Sequence, residues 1–344
     1  MQFDITMPLT LFGVVFLAVL VSGKVEKRLK IAFEEREFKV KDAVVLVAVI
    51  TVAVSVMAFV PQVAIMVLFL LAYSIVLFTF TYIFSDFNKT TSKIFSGVFF
   101  VLSFLTATIS LFTLFFSDAF VAYGAAALYS LCGFSFITLL YEEDRDSAKE
   151  RWYSAVLPSA LFVFLYVFFS RTPIWFPYLL NMYGLVFAVL ITLYLGSLFT
   201  WGTSIVFAGL LTVADIVLVL VTGSMVSAAT HVSGLGLPIM VILPIFPQVT
   251  SELGALYMSL GLGDFFFAGL LAVQTYKKFG KNAAFLSVAA MAISFFLFET
   301  FILNFNLRAF PGTLMIICGW VPVVLLKVLK DENVKAESAT SPLL

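Results

Sequence analysis

Apolar runs of about twenty residues follow one another along almost the whole chain, separated by short charged or Pro/Gly breaks. The hydrocarbon core of a bilayer is about 30 Å thick, and about 20 helical residues cross it. Such runs leave a chain few options. Backbone groups in lipid must be satisfied within their own segment, so the runs are expected to be membrane-spanning helices. Of 344 residues, 62% are hydrophobic and 12% charged, against about 25% charged in a soluble domain. The expected class is an all-α, polytopic integral membrane protein whose first partner is the lipid bilayer.

Eleven candidate spans emerge from apolar runs and their breaks, with ends uncertain by about two to four residues. Seven lie at approximately 5–23, 43–60, 63–84, 94–117, 119–140, 153–170 and 178–200. Four more lie at approximately 202–222, 252–274, 282–304 and 309–326. The stretch 94–140 is too long for one crossing and calls for a break near Asp118. With the N-terminus outside and the C-terminus in the cytoplasm, all but Arg171 and Arg308 of the 20 lysines and arginines fall on the inside. The segment 24–42 is the largest polar one and reads as a cytoplasmic helix or loop. We divide the chain into an N-terminal transmembrane bundle (1–200), a second transmembrane region (201–330), which carries Asp215, Gly261, Gly263, Asp264 and Pro311, and a polar, frayed tail (331–344).

Several function classes drop out. The net charge is zero, so no basic field recruits nucleic acid. Cys132 and Cys318 lie in separate apolar runs and are expected to be reduced and buried. His231 is the single histidine and reads as a loop residue, so neither a metal site nor a cofactor is expected. Asp4 stands where a signal peptide would carry basic residues, so no removable leader is expected. Asn88-Lys89-Thr90 matches a glycosylation sequon but falls on the inside, where it would go unused.

Three acids sit within spans: Asp215, Asp264 and Glu299. A carboxylate at the bilayer centre costs about 2.5–3.5 kcal/mol on insertion scales, so such residues usually face a cavity and serve a purpose. Glu299 is near a span end and reads as an interhelical or interfacial hydrogen-bonding residue. Asp215 and Asp264 make chemical sense together. Two carboxylates held close cannot both ionise cheaply and share a proton. The ionised one can take a proton from water while the protonated one polarises a peptide carbonyl. Gly261 and Gly263, beside Asp264, lack a Cβ and permit close helix approach.

Gly261-Leu262-Gly263-Asp264, with Asp215 one helix earlier, resembles the GxGD motif and first aspartate of presenilins and signal peptide peptidases. Pro311-Gly312-Thr313 falls where that family has Pro-Ala-Leu and keeps its proline; Ala214 stands where the family usually has tyrosine. The resemblance covers about 202–326. It implies a presenilin-like helix bundle, a nine-helix core with two additional N-terminal helices. It implies an intramembrane aspartyl protease with Asp215 and Asp264 catalytic. Gly261, Leu262, Gly263, Pro311, Gly312 and Thr313 would support the site or bind substrate. Substrates would be membrane-spanning peptides or proteins, including signal-peptide-like remnants, and an oligomer is compatible with it.

The helix directions match signal peptide peptidases and are opposite to presenilins, which implies substrates with their N-termini inside. The linker Gly223–Thr250, rich in glycine and proline, should not form a regular span. In the family it orders substrate as a strand, so a gate or an edge for β-augmentation is one reading and a membrane-surface loop the other. An ion- or proton-coupled transporter also uses intramembrane carboxylates, but it predicts a repeat, and none is evident. Prepilin peptidases share GxGD but commonly carry a basic residue soon after it, where this chain has Phe265-Phe266-Phe267. A scaffold that has lost activity is the remaining alternative.

Overall fold

The computed structural model describes residues 2–33, 37–86, 88–112, 119–144, 151–247, 250–251, 254–305, 307 and 309–340. The break at Asp118, residues 341–344 and four of the topology-defining cations (Arg36, Arg145, Lys149, Arg308) lie outside them. Among the described residues there are twelve α-helices, ten of them long and apolar enough to cross a membrane. The protein is an all-α polytopic membrane protein.

The chain forms two compact units. The first gathers Met1–Val60, Asn181–Gly234 and Pro238–Leu344. It holds α1 (Thr6–Phe33), α2 (Val40–Met57), most of α7 (Leu180–Leu198), α8 (Trp201–Ile216), α9 (Ser224–Ser233), α10 (Leu262–Phe279), α11 (Lys281–Phe305) and α12 (Gly312–Thr340). Helix starts are set by local chemistry. Asp4 receives the Thr6 and Met7 N–H groups at the head of α1, at 3.0 and 3.1 Å. Thr200 and Thr203 cap each other's backbone at the head of α8. The α1 helix runs on through Lys30, so much of the polar 24–42 segment is helical.

Small residues and polar groups then lock neighbouring helices, as expected where lipid supplies no hydrophobic drive between them. Gly319 of α12 lies so close to the Ala290 backbone of α11 that a Cβ would overlap it. Ser294 donates to the Met315 carbonyl at 2.7 Å, and the Trp320 indole N–H to Thr275 Oγ1 of α10 at 2.9 Å. The N-terminal half of α12 is therefore held against both α10 and α11, its first turn by the Met315 bond to α11.

One span departs from expectation. Residues 252–274 are not a helix throughout: Tyr257–Gly261 is strand β4, paired antiparallel with β1 (Met240–Pro244), and α10 begins only at Leu262. A second, two-residue pair joins β2 (Thr250–Ser251) to β3 (Gly254–Ala255). Glycines at 254 and 261 and a serine at 259 weaken the helix there, and β1 supplies the missing backbone partners. The linker otherwise lacks a regular span, as expected. His231, however, sits on the short α9 and not in a loop, its ring nitrogen 3.0 Å from the Val60 carbonyl. Cys318 is on the exposed side of α12 rather than buried, while Cys132 is buried as expected.

The second unit, Pro61–Leu180 with Leu235–Leu237, contains α3 (Gln62–Ile83), α4 (Lys89–Phe112), α5 (Ala119–Asp144) and α6 (Trp152–Phe169). Serines and an alanine line the buried face of α4, at 92, 96, 103, 107 and 110. Arg151 and Glu142, both buried, form an ion pair at 2.9 Å. Lys93 and Glu143 meet beside it at the more exposed end.

Candidate active site

The site is assembled by the starts of two helices and the body of a third. Asp215 projects from the last α-helical turn of α8, just before a π-helical stretch at Val217–Val221, and is 8% exposed. Asp264 lies in the first turn of α10, not in mid-helix. The cause is local. Gly261 is the extended N-cap, at φ −69° and ψ 148°, and the carboxylate three residues on reaches back to its N–H. Asp264 is half-buried, and its charge is close enough to interact with that of Asp215.

Both aspartates meet one dipeptide. Thr313 Oγ1 donates to Asp215 Oδ2 at 2.6 Å, and the Thr313 backbone N–H donates to the same oxygen at 3.2 Å. Thr313 is 4% exposed. Its neighbour Gly312 faces Asp264: a Cβ on Gly312 would lie 2.6 Å from Oδ1 and 2.7 Å from Cγ. No real Cβ tolerates such contacts, so glycine is required for the carboxylate to occupy this place. Pro311 is buried and accepts the Met315 N–H at 3.3 Å through its carbonyl, starting α12 at the right point. Leu262 is buried, whereas Gly263 is exposed with open space where its Cβ would be. The structure thus brings Asp215, Asp264, Gly261, Gly312 and Thr313 together. Glu299 is not among them. It is fully buried, and neither of its carboxylate oxygens has a hydrogen-bond partner among the described residues.

The strand leading into Asp264 is one-sided. Ile245 donates to the Leu256 carbonyl and Leu262 to that of Ile239, so the odd-numbered residues of β1 face β4. Ile242 faces the other way and is already satisfied. The Asn181 amide of α7 accepts its N–H at 2.8 Å and donates to its carbonyl at 2.6 Å, standing in for a neighbouring strand. Pro244 shares that outward phase and needs no partner for a missing N–H. On β4 the same alternation turns the Ser259 peptide groups away from β1. In the sequence, the signal for Asn181 is an amide standing alone in LLNMYG, inside an apolar span.

Among the described residues, no group of three or more His, Cys, Asp or Glu side chains could hold a metal ion. No protein-family model matches the chain, and comparison with curated proteins gives no match.

Proposed function

We propose that this protein is an intramembrane aspartyl protease of the presenilin and signal peptide peptidase type, hydrolysing peptide bonds in or near transmembrane segments. The observation that carries the reading is the convergence of Asp215 and Asp264, from separate helices, on Gly312 and Thr313. A pair of carboxyl groups with one shared proton can act as general base and general acid at once. The ionised carboxylate takes a proton from water as the water oxygen bonds to the peptide carbon. The other gives its proton to the carbonyl oxygen, yielding a gem-diol. Collapse of the gem-diol breaks the C–N bond: the new acid protonates the leaving nitrogen, and a diol hydroxyl returns a proton to the other carboxylate. No covalent intermediate is needed.

Substrate is received as an extended strand on the outer edge of β4. The opposite edge of the pair is closed at Ile242 by Asn181, whereas Ser259 presents its N–H and C=O immediately before Gly261 and Asp264. The charge distribution supports an external N-terminus and a cytoplasmic C-terminus, and thus substrates whose N-termini are inside.

The test is cleavage of a membrane-span reporter by the purified protein in liposomes, with Asp215→Asn and Asp264→Asn alongside. Both variants should be inactive while remaining folded; full activity in either removes the proposal. Proton-coupled uptake without proteolysis would assign the carboxylates to a transporter instead.

A further inference from the structure

Nothing in the pairing of two aspartates says which is the base, and the asymmetry of their contacts does. We propose that Thr313 is a positioning residue that makes Asp215 the water-activating base and leaves Asp264 carrying the shared proton. The inference rests on the protease reading of the same site.

Two donors from one residue converge on a single oxygen of Asp215: the Thr313 hydroxyl at 2.6 Å and its backbone N–H at 3.2 Å. A hydroxyl-to-carboxylate bond of that length falls in the range of about 2.5–2.7 Å typical of an ionised acceptor. Asp264 receives one backbone N–H, from Gly261, and the N-terminus of α10. A hydrogen bond to a charged group outweighs the interaction of a carboxylate with a helix terminus. Donors to the ionised form therefore weight the pair toward charge on Asp215.

The rest of the surroundings does not offset this. The helices packed on α8 are α2, α10 and α12. Residues 43–57 of α2 carry no titratable side chain; 312–326 of α12 carry Cys318, which faces outward. Along 262–276, α10 brings Asp264 and, at its far end, Tyr276. Asp264 is thus the one carboxyl group that these segments set against Asp215. With Oδ2 held by Thr313, Oδ1 is the oxygen left to receive the proton from water.

The hydroxyl is the testable part. Thr313→Val preserves shape and the backbone N–H but removes the side-chain donor. With the reporter-cleavage assay, kcat should fall about 10- to 100-fold with KM little changed. Losing a donor to the charged form disfavours ionisation, so the acid limb of the pH–rate profile should move to higher pH. Thr313→Ser, which restores the donor, should recover most of the rate and bring the limb back. If the valine variant fails to fold, Thr313→Ala compared with Thr313→Ser reads the same difference. Wild-type kcat and an unmoved acid limb in a folded Thr313→Val protein overturn the inference while leaving the protease reading intact. A wild-type protein that does not cleave, or an Asp215→Asn variant that does, overturns both.

Discussion

Gly312→Ala is the smallest change that should disable the site. It adds one methyl group, improves helix propensity by up to about 1 kcal/mol, and leaves both aspartates in the sequence. Yet the new Cβ would lie 2.6 Å from Asp264 Oδ1, 2.7 Å from Cγ and 2.9 Å from Oδ2, whereas ordinary contact begins near 3.4 Å. The first turn of α12 cannot easily yield, because Thr313 is bonded to Asp215 and the Met315 carbonyl to Ser294. The Asp264 carboxylate must therefore retreat by about 0.8 Å to restore contact distance. A misplacement of about 1 Å can cost about 10²-fold in rate, equivalent to about 2.7 kcal/mol on the barrier. Overpacking should lower stability as well, by about 1–3 kcal/mol. The assay is single-turnover cleavage of a membrane-span reporter, with thermal melting to separate misfolding from loss of rate. Gly209→Ala on α8, where a Cβ meets nothing within 4 Å, is the control for adding a methyl group to a helix. Cleavage by Gly312→Ala within twofold of wild type would refute the argument.

Three further outcomes follow from particular contacts. Asn181→Leu strips the partners from both peptide groups of Ile242; at about 1–3 kcal/mol for each unsatisfied group, a clear fall in melting temperature is expected, and an unchanged one would refute the strand-mimic role. Ser259→Pro removes an N–H that faces away from β1, so it should abolish reporter cleavage with little loss of stability; normal cleavage would mean that substrate does not pair there. In the second unit, Arg151→Ala should lower the melting temperature by breaking the buried ion pair with Glu142. The double variant with Glu142→Gln should melt higher than Arg151→Ala, and a lower value would contradict the ion-pair account.

The long helices were legible because a twenty-residue apolar run has one stable answer in lipid. The same logic failed at residues 257–261. A short apolar stretch suits strand or helix alike, and what decided it was pairing with residues 240–244, which no local pattern reveals. That error also moved Asp264 from mid-helix to a helix start, where Gly261 can donate to it. The two aspartates were legible as costly residues in spans, and Gly312 and Thr313 through the likeness of their position to a family motif. Their contacts were not. The Thr313 hydroxyl meets Asp215 across a sequence separation of 98 residues, and the need for glycine at 312 exists only because Asp264 fills the space. Cys318 was misjudged because an apolar run does not say which face of its helix meets lipid.

The arrangement of α12 has a consequence for how the protein could be controlled. Two acids that answer to one dipeptide cannot be adjusted separately by anything that shifts that helix. A compound wedged at the close contact between Gly319 and Ala290 would displace the nearby first turn of α12, loosening the grip on Asp215 while altering the room left for Asp264. Under the proposed protease function, such a compound would inhibit without covering the edge of β4, and raising substrate concentration would not relieve it. Both aspartates thus depend on a helix that supplies the site with no acid of its own.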